Sequence, residues 1–146
     1  MAEKQSPETG PVLIVEDSMD DFEAARRAFK KAGLVSALDH VSTGEEALQY
    51  LKSQDKPRPS LILLDLNMPG MGGRKVLEII KQDKDMKEIP VVVLTTSKAE
   101  EDIARTYNLG VNSFVTKPVT FSSLVTVISD ITHYWFEIVE LPAQKK

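Results

Sequence analysis

An α/β fold, in which helices cover both faces of one parallel five-stranded sheet, follows from three features of the 146-residue chain. Apolar runs rich in branched residues recur along it: Val12-Leu-Ile-Val15, Leu61-Ile-Leu-Leu64 and Val91-Val-Val-Leu94. Continuous runs of this kind mark strands buried on both faces. Stretches with helical apolar spacing separate them. The alternation persists for five strand–helix units, which implies a doubly wound parallel sheet in a single domain.

The elements can be taken in order. After the first run, Ser18 precedes Phe22, Ala25 and Phe29, with Asp21 three residues on, an N-cap arrangement; Gly33 ends that helix. Ala37 to Val41 is a weaker strand candidate. Thr43-Gly-Glu-Glu46 has the capping-box pattern and opens a helix carrying Ala47, Leu48 and Leu51. Beyond the Leu61 run, a glycine-rich turn from Gly70 to Gly73 leads into a helix with Val76, Leu77, Ile79 and Ile80 on one side. Ser97-Lys-Ala-Glu100 is a second capping box, before a helix with Ile103 and Tyr107. Ser113 to Val115 is the fifth, weaker strand. The last helix begins near Thr120 and is expected to run to about Leu141, with Phe121, Leu124, Val125, Ile128, Ile131, Trp135 and Ile138 at helical spacing.

Composition bounds the chemistry. Hydrophobic residues at 42% and charged residues at 27% are ordinary globular usage. The length is enough for one core and too short for two full-sized domains. With no cysteine, disulfides, thiolate metal sites and thiol catalysis are excluded. A net charge of −4 argues against a general nucleic-acid binder. No apolar run reaches the ~18 residues of a membrane span, and Met1 to Thr9 lacks an apolar signal core. A cytoplasmic location is therefore expected. Residues 1–10 read as a flexible leader, 11–141 as the folded domain including its long last helix, and 142–146 as a tail. That division leaves no stretch for a second domain, so an output through a surface is expected.

In doubly wound folds the ligand site lies at the carboxyl ends of the strands. Glu16 and Asp17 follow the first run, Asp65 the third, Thr95 the fourth, and Lys117 the fifth. Three carboxylates gathered there call for a cation, and hard oxygen donors with open positions suit Mg²⁺. A strand-end aspartate can act as nucleophile toward a phosphoryl group, with Lys117 and Thr95 meeting its oxygens.

These residues, with Leu64-Asp65-Leu66-Asn67-Met68-Pro69-Gly70-Met71-Gly72-Gly73 and Phe114-Val115-Thr116-Lys117-Pro118, resemble the receiver domain of two-component response regulators, from Pro11 to about Val139. The resemblance implies a flavodoxin-like fold and a signalling domain rather than a dedicated enzyme. It implies that Asp65 accepts a phosphoryl group from a sensor histidine kinase. Glu16, Asp17, Asp65 and the backbone carbonyl of Asn67 would hold Mg²⁺. Thr95 and Lys117 would contact the phosphoryl oxygens, the Lys117–Pro118 bond would be cis, and Phe114 would be the aromatic switch. Ile89-Pro-Val-Val-Val-Leu-Thr-Thr-Ser97, His133-Tyr-Trp-Phe136 and Val139-Glu-Leu-Pro142 are similar to the stand-alone regulators paired with cyanobacterial phytochromes, which dimerise through their C-terminal part. Glu16 stands where many receivers have aspartate, and Thr116 where the position beside the lysine is often aliphatic.

Plainer readings exist for several residues. Ser97 is better explained as a helix cap than as the phosphoryl-binding hydroxyl. Asp20 and Asp21 serve the positive end of the first helix. His40 and His133 are read as structural or surface residues. The last helix carries more apolar side chains than one face can bury. Phe121, Tyr134, Trp135 and Ile138 are therefore assigned to an intermolecular patch, expected to make a homodimer. Two other functions remain open. A haloacid-dehalogenase-like phosphatase would want an acid where Asn67 stands, and a phosphorylation-independent binding module would need none of the strand-end chemistry.

Overall fold

The computed structural model describes residues 10–96 and 99–142. Five strands, β1 (Val12–Val15), β2 (Leu38–Val41), β3 (Leu61–Leu64), β4 (Val91–Thr95) and β5 (Ser113–Thr116), form one parallel sheet in the order β2-β1-β3-β4-β5. The helices between them are α1 (Met19–Lys31), α2 (Gly44–Lys52), α3 (Gly73–Gln82), α4 (Glu100–Asn108) and α5 (Phe121–His133). From β1, inside the sheet, the chain winds outward to β2, then crosses back through β3 and β4 to β5. The reversal between β1 and β3 opens the crevice in which such folds carry their sites.

Strand alternation divides the core in two. Val12, Ile14, Leu61, Leu63, Val92 and Leu94 face α1 and α5, where they meet Ala25, Ala28, Phe29, Leu124, Ile128 and Ile131. Leu13, Val15, Ile62, Leu64, Val91 and Val93 face the other way, onto Ala47, Leu48, Val76, Leu77 and Ile80 of α2 and α3. Both sides of β1, β3 and β4 are thus dry, which is why these strands read as unbroken apolar runs.

The caps follow the sequence pattern at α1 and α2, and α5 adds a third at Thr120. Ser18, Thr43 and Thr120 hydroxyls accept from the amides of Asp21, Glu46 and Ser123. The Glu46 carboxylate also reaches back to the Ser42 amide at 2.8 Å. After α1 the chain turns at Gly33 with φ +81°, and Leu34 donates back to the Phe29 carbonyl, a helix stop that favours glycine. Gly73 serves a different need. A Cβ there would lie 2.3 Å from the Asp65 carbonyl oxygen, so only glycine lets α3 start hard against the end of β3.

One expectation lies outside the described residues, and another changes. The capping box at Ser97 falls on a residue outside the described ones; α4 starts at Glu100, and its N-cap Ala99 makes no side-chain cap bond. The last helix does not continue as an α-helix to Leu141. It ends at His133 and widens into a π turn, Tyr134–Ile138, closed by a Val139 amide to Tyr134 carbonyl bond at 3.0 Å, and the chain is extended from Val139. A π turn takes one residue more than an α turn, so it advances the buried stripe by one position. The stripe Leu124, Ile128, Ile131 therefore continues through Phe136, which is fully buried, while Trp135 is only half-buried.

Candidate functional site at the strand ends

The strand ends deliver the predicted residues to one place. Glu16 and Asp17 leave β1, Asp65 leaves β3, Thr95 is the last residue of β4, and Lys117 follows β5. Glu16, Asp65 and Thr95 are buried, whereas Asp17 is open to solvent. One carboxylate oxygen from each of Glu16, Asp17 and Asp65 lies within 4.8 Å of the others. Three hard oxygen donors at that spacing, one of them facing water, fit a divalent cation that keeps part of its hydration.

Lys117 is the counter-charge. Its ammonium sits 2.9 Å from Glu16 Oε1, 2.9 Å from Asp21 Oδ2 and 3.7 Å from Asp65 Oδ2. Burial alone would lower its pKa, but the bonds to Asp21 and Glu16 and the nearby Asp65 charge outweigh it and hold the ammonium above its ordinary value. Glu16 goes up to about 7, first because it is buried and then because Asp65 is beside it, against the opposing bond to Lys117. One lysine does not fully offset these acids, so the cluster favours either a proton or a cation.

The opposite wall of the site is neutral. Asn67 Nδ2 donates to Thr95 Oγ1 at 2.9 Å and to Thr96 Oγ1 at 3.2 Å, and the Asn67 amide donates to Asp65 Oδ1 at 3.1 Å. Phe114 packs its half-buried ring against the α2/α3 side of the core, and its amide donates to the Tyr107 hydroxyl. The Lys117–Pro118 bond, expected cis, is trans, as are all peptide bonds among the described residues. The two isomers of an X–Pro bond differ by only about 0.5–1 kcal/mol, so surrounding contacts decide. Here the trans chain still lets the Lys117 amide reach the Thr95 carbonyl at 2.7 Å.

Three participants escaped the sequence reading. Asp21, by position a helix-dipole residue, binds Lys117; its place four residues after Asp17 is the available signal. Asn67, expected to act through its backbone carbonyl, also holds the Thr95 hydroxyl through its side chain. His40 bonds the Glu16 carbonyl at 2.8 Å, a contact between neighbouring strands that no local pattern announces.

The C-terminal patch is partly exposed. Tyr134 and Ile138 are 48% and 52% exposed, and Trp135 meets Tyr134 edge to face at 5.2 Å. Phe121 lies apart from them, under the Arg27 guanidinium at 4.8 Å.

Comparison with known proteins agrees with this geometry. The family model described as "Response regulator receiver domain" matches residues 12–129. The response regulator Rcp1 of Synechocystis sp. is 41% identical over 145 residues, covering 94% of this chain and 99% of the relative. The solved structure of the Mn²⁺-bound form of Rcp1 superposes with a TM-score of 0.86, covering 92% of this chain and 99% of that one at 41% identity. The phosphorylated cyanobacterial phytochrome response regulator RcpA gives a TM-score of 0.87 at 37% identity, with the same coverage. No helix among the described residues is long and apolar enough to cross a membrane. The family match runs through all five strands and every strand end that builds the site, so the chain belongs to the response regulator receiver domain family, a signalling rather than an enzymatic one, and is closely related to the phytochrome-associated response regulators.

Proposed function

We propose that Asp65 is the phosphoacceptor, that Mg²⁺ is the cation held by Glu16, Asp17, Asp65 and the Asn67 carbonyl, and that the donor is a phosphohistidine on a sensor histidine kinase of the phytochrome class. The observation that carries this reading is the convergence of two buried carboxylates, one exposed carboxylate and a triply paired lysine at neighbouring strand ends.

The chemistry follows from the residues. An Asp65 carboxylate oxygen attacks phosphorus, an acyl P–O bond forms, the P–N bond breaks, and the departing imidazole keeps the electron pair and takes a proton. The Asn67 amide holds the other Asp65 oxygen and so orients the attacking one. Lys117 exchanges its carboxylate partners for a phosphoryl oxygen, and the Thr95 hydroxyl leaves Asn67 to donate to another. When bound, Mg²⁺ neutralises charge on the phosphoryl oxygens, the main requirement of phosphoryl transfer. Movement of Thr95 vacates space beside β4, into which the Phe114 ring turns, and this changes the α4–β5 surface. Asn67 does not supply the acid of a dehalogenase-like phosphatase, because a carboxamide has no proton of suitable acidity and its amide is spent on Thr95.

The working unit in this proposal is residues 11–141, acting in the cytoplasm as a homodimer joined through Tyr134, Trp135 and Ile138, with Phe121 at its margin. Exposed aromatic and aliphatic side chains at the C-terminal turn support that surface. Asp65→Asn should abolish phosphoryl labelling by acetyl phosphate in Mg²⁺, and labelling at the wild-type level would overturn the assignment. Light scattering on Trp135→Ala and Ile138→Asp should give a monomer mass where the wild type gives a dimer; a wild-type monomer removes the dimer from the proposal.

A further inference from the structure

The carbonyl of Glu16 belongs to the peptide that joins Glu16 to Asp17, so its direction sets how both carboxylates leave the backbone. The ladder between β1 and β2 stops one bond short of it. The Glu16 amide donates to the Val41 carbonyl at 3.1 Å, and beyond that point β2 has turned away. The next rung comes from a side chain: His40 Nε2 lies 2.8 Å from the Glu16 carbonyl oxygen. A carbonyl only accepts, so Nε2 carries the hydrogen.

The same ring is fixed from the side. It lies flat on Phe22 with centroids 3.9 Å apart and planes within 7°. Phe22 sits in the first turn of α1, next to Asp21, whose carboxylate binds Lys117. One imidazole thus touches the two segments, the Glu16–Asp17 peptide and the start of α1, that carry three of the four acids around the site.

We propose that His40 is a positioning residue of the cation site. It holds the Glu16–Asp17 peptide in the orientation at which the Glu16 and Asp17 carboxylates lie within 4.8 Å of Asp65, so the cation meets donors already gathered. This rests on the reading of Glu16, Asp17 and Asp65 as that site. Without the bond, the acidic loop has more orientations to lose on binding, and affinity falls by the cost of ordering it.

The test separates ring from donor. His40→Phe keeps a flat ring for Phe22 and removes the N–H; His40→Gln keeps a donor of similar reach and removes the stack. Mg²⁺ alone is titrated calorimetrically into each, and each is melted in the absence of metal. The Mg²⁺ dissociation constant should rise about three- to tenfold in His40→Phe, the size of one lost hydrogen bond acting through the backbone. In His40→Gln it should stay within about twofold of wild type. A His40→Phe affinity equal to wild type overturns the inference while leaving the site reading intact. A His40→Gln affinity no better than His40→Phe, or a His40→Phe chain that does not fold, overturns it as well, since the residue is then merely structural. Absence of Mg²⁺ binding by the wild type fails the site reading itself.

Discussion

Helices α4 and α5 precede and follow the last strand, yet different forces hold them. α5 buries Leu124, Ile128, Ile131 and Thr132 in the apolar layer it shares with α1. α4 has one buried residue, Thr106, and its ties are polar: Asp102 to Arg74 of α3 at 2.8 Å, and the Tyr107 hydroxyl to the Phe114 amide at 3.2 Å. The difference extends into the site. Lys117, on the loop entering α5, is locked among three carboxylates, whereas Thr95, on the segment leading toward α4, is held by a carboxamide. Thinly packed elements open and shift at low cost, while densely packed ones move only with the whole domain. The proposed binding lysine thus sits on the firmly held side of the site, and the proposed switch on the loosely held one.

The contrast is open to direct attack on packing. Ile128→Ala, at a fully buried position of α5, should cost about 2–5 kcal/mol in urea unfolding, from lost burial and the cavity left behind. Ile103→Ala, at a half-buried position of α4, should cost about 1 kcal/mol or less. Equal losses at the two positions would erase the distinction between the helices.

Charge gives a second test. Glu16 has its pKa raised from 4.5 to about 7 in the folded protein. The folded state therefore holds a proton that the unfolded chain releases near 4.5. Ionised Glu16 weakens the fold as pH rises from about 4.5 through 7, and the cost is absent below that window. Metal-free protein in chelator should lose on the order of 2 kcal/mol between pH 5 and 8, measured by chemical denaturation. Glu16→Gln should flatten this slope, and millimolar Mg²⁺ should reverse it by favouring the ionised form. A metal-free profile that is level or rises over this range would show that the binding side carries no excess negative charge.

What the chain disclosed beforehand and what it withheld follow the same division between local and distant contacts. Val12 to Val15, Leu61 to Leu64 and Val91 to Leu94 are buried on both faces, so their run of branched residues located the central strands, and the strand ends then located Glu16, Asp17, Asp65, Thr95 and Lys117. Ser18 and Thr43 cap within their own helix turn, a contact spanning three residues, so a local pattern announced them. The exchange of Trp135 for Phe136 in the core was hidden, because helical spacing assumes a fixed number of residues per turn and the π turn breaks that assumption. His40 to Glu16 and Asn67 to Thr95 join residues 24 and 28 apart, and only the assembled sheet brings them together.

Asn67 offers the finest probe of the responsive side. Its amide occupies the Thr95 hydroxyl, so in the proposed mechanism Thr95 gives up that bond when it turns toward a phosphoryl group. Asn67→Ala removes the amide while preserving the backbone carbonyl assigned to the cation. The resting state then loses about 1 kcal/mol that the activated state never had, and the balance between the two shifts by about fivefold. Titration with beryllofluoride in saturating Mg²⁺, followed by intrinsic fluorescence, should show an apparent affinity three- to eightfold tighter than wild type, on the order of that same bond energy. Mg²⁺ affinity measured alone should change by less than about twofold, because the acids and Lys117 keep their partners. If Asn67→Ala instead weakens Mg²⁺ and beryllofluoride together, the carboxamide supports the acids rather than restraining the hydroxyl, and the two sides of the site are mechanically one.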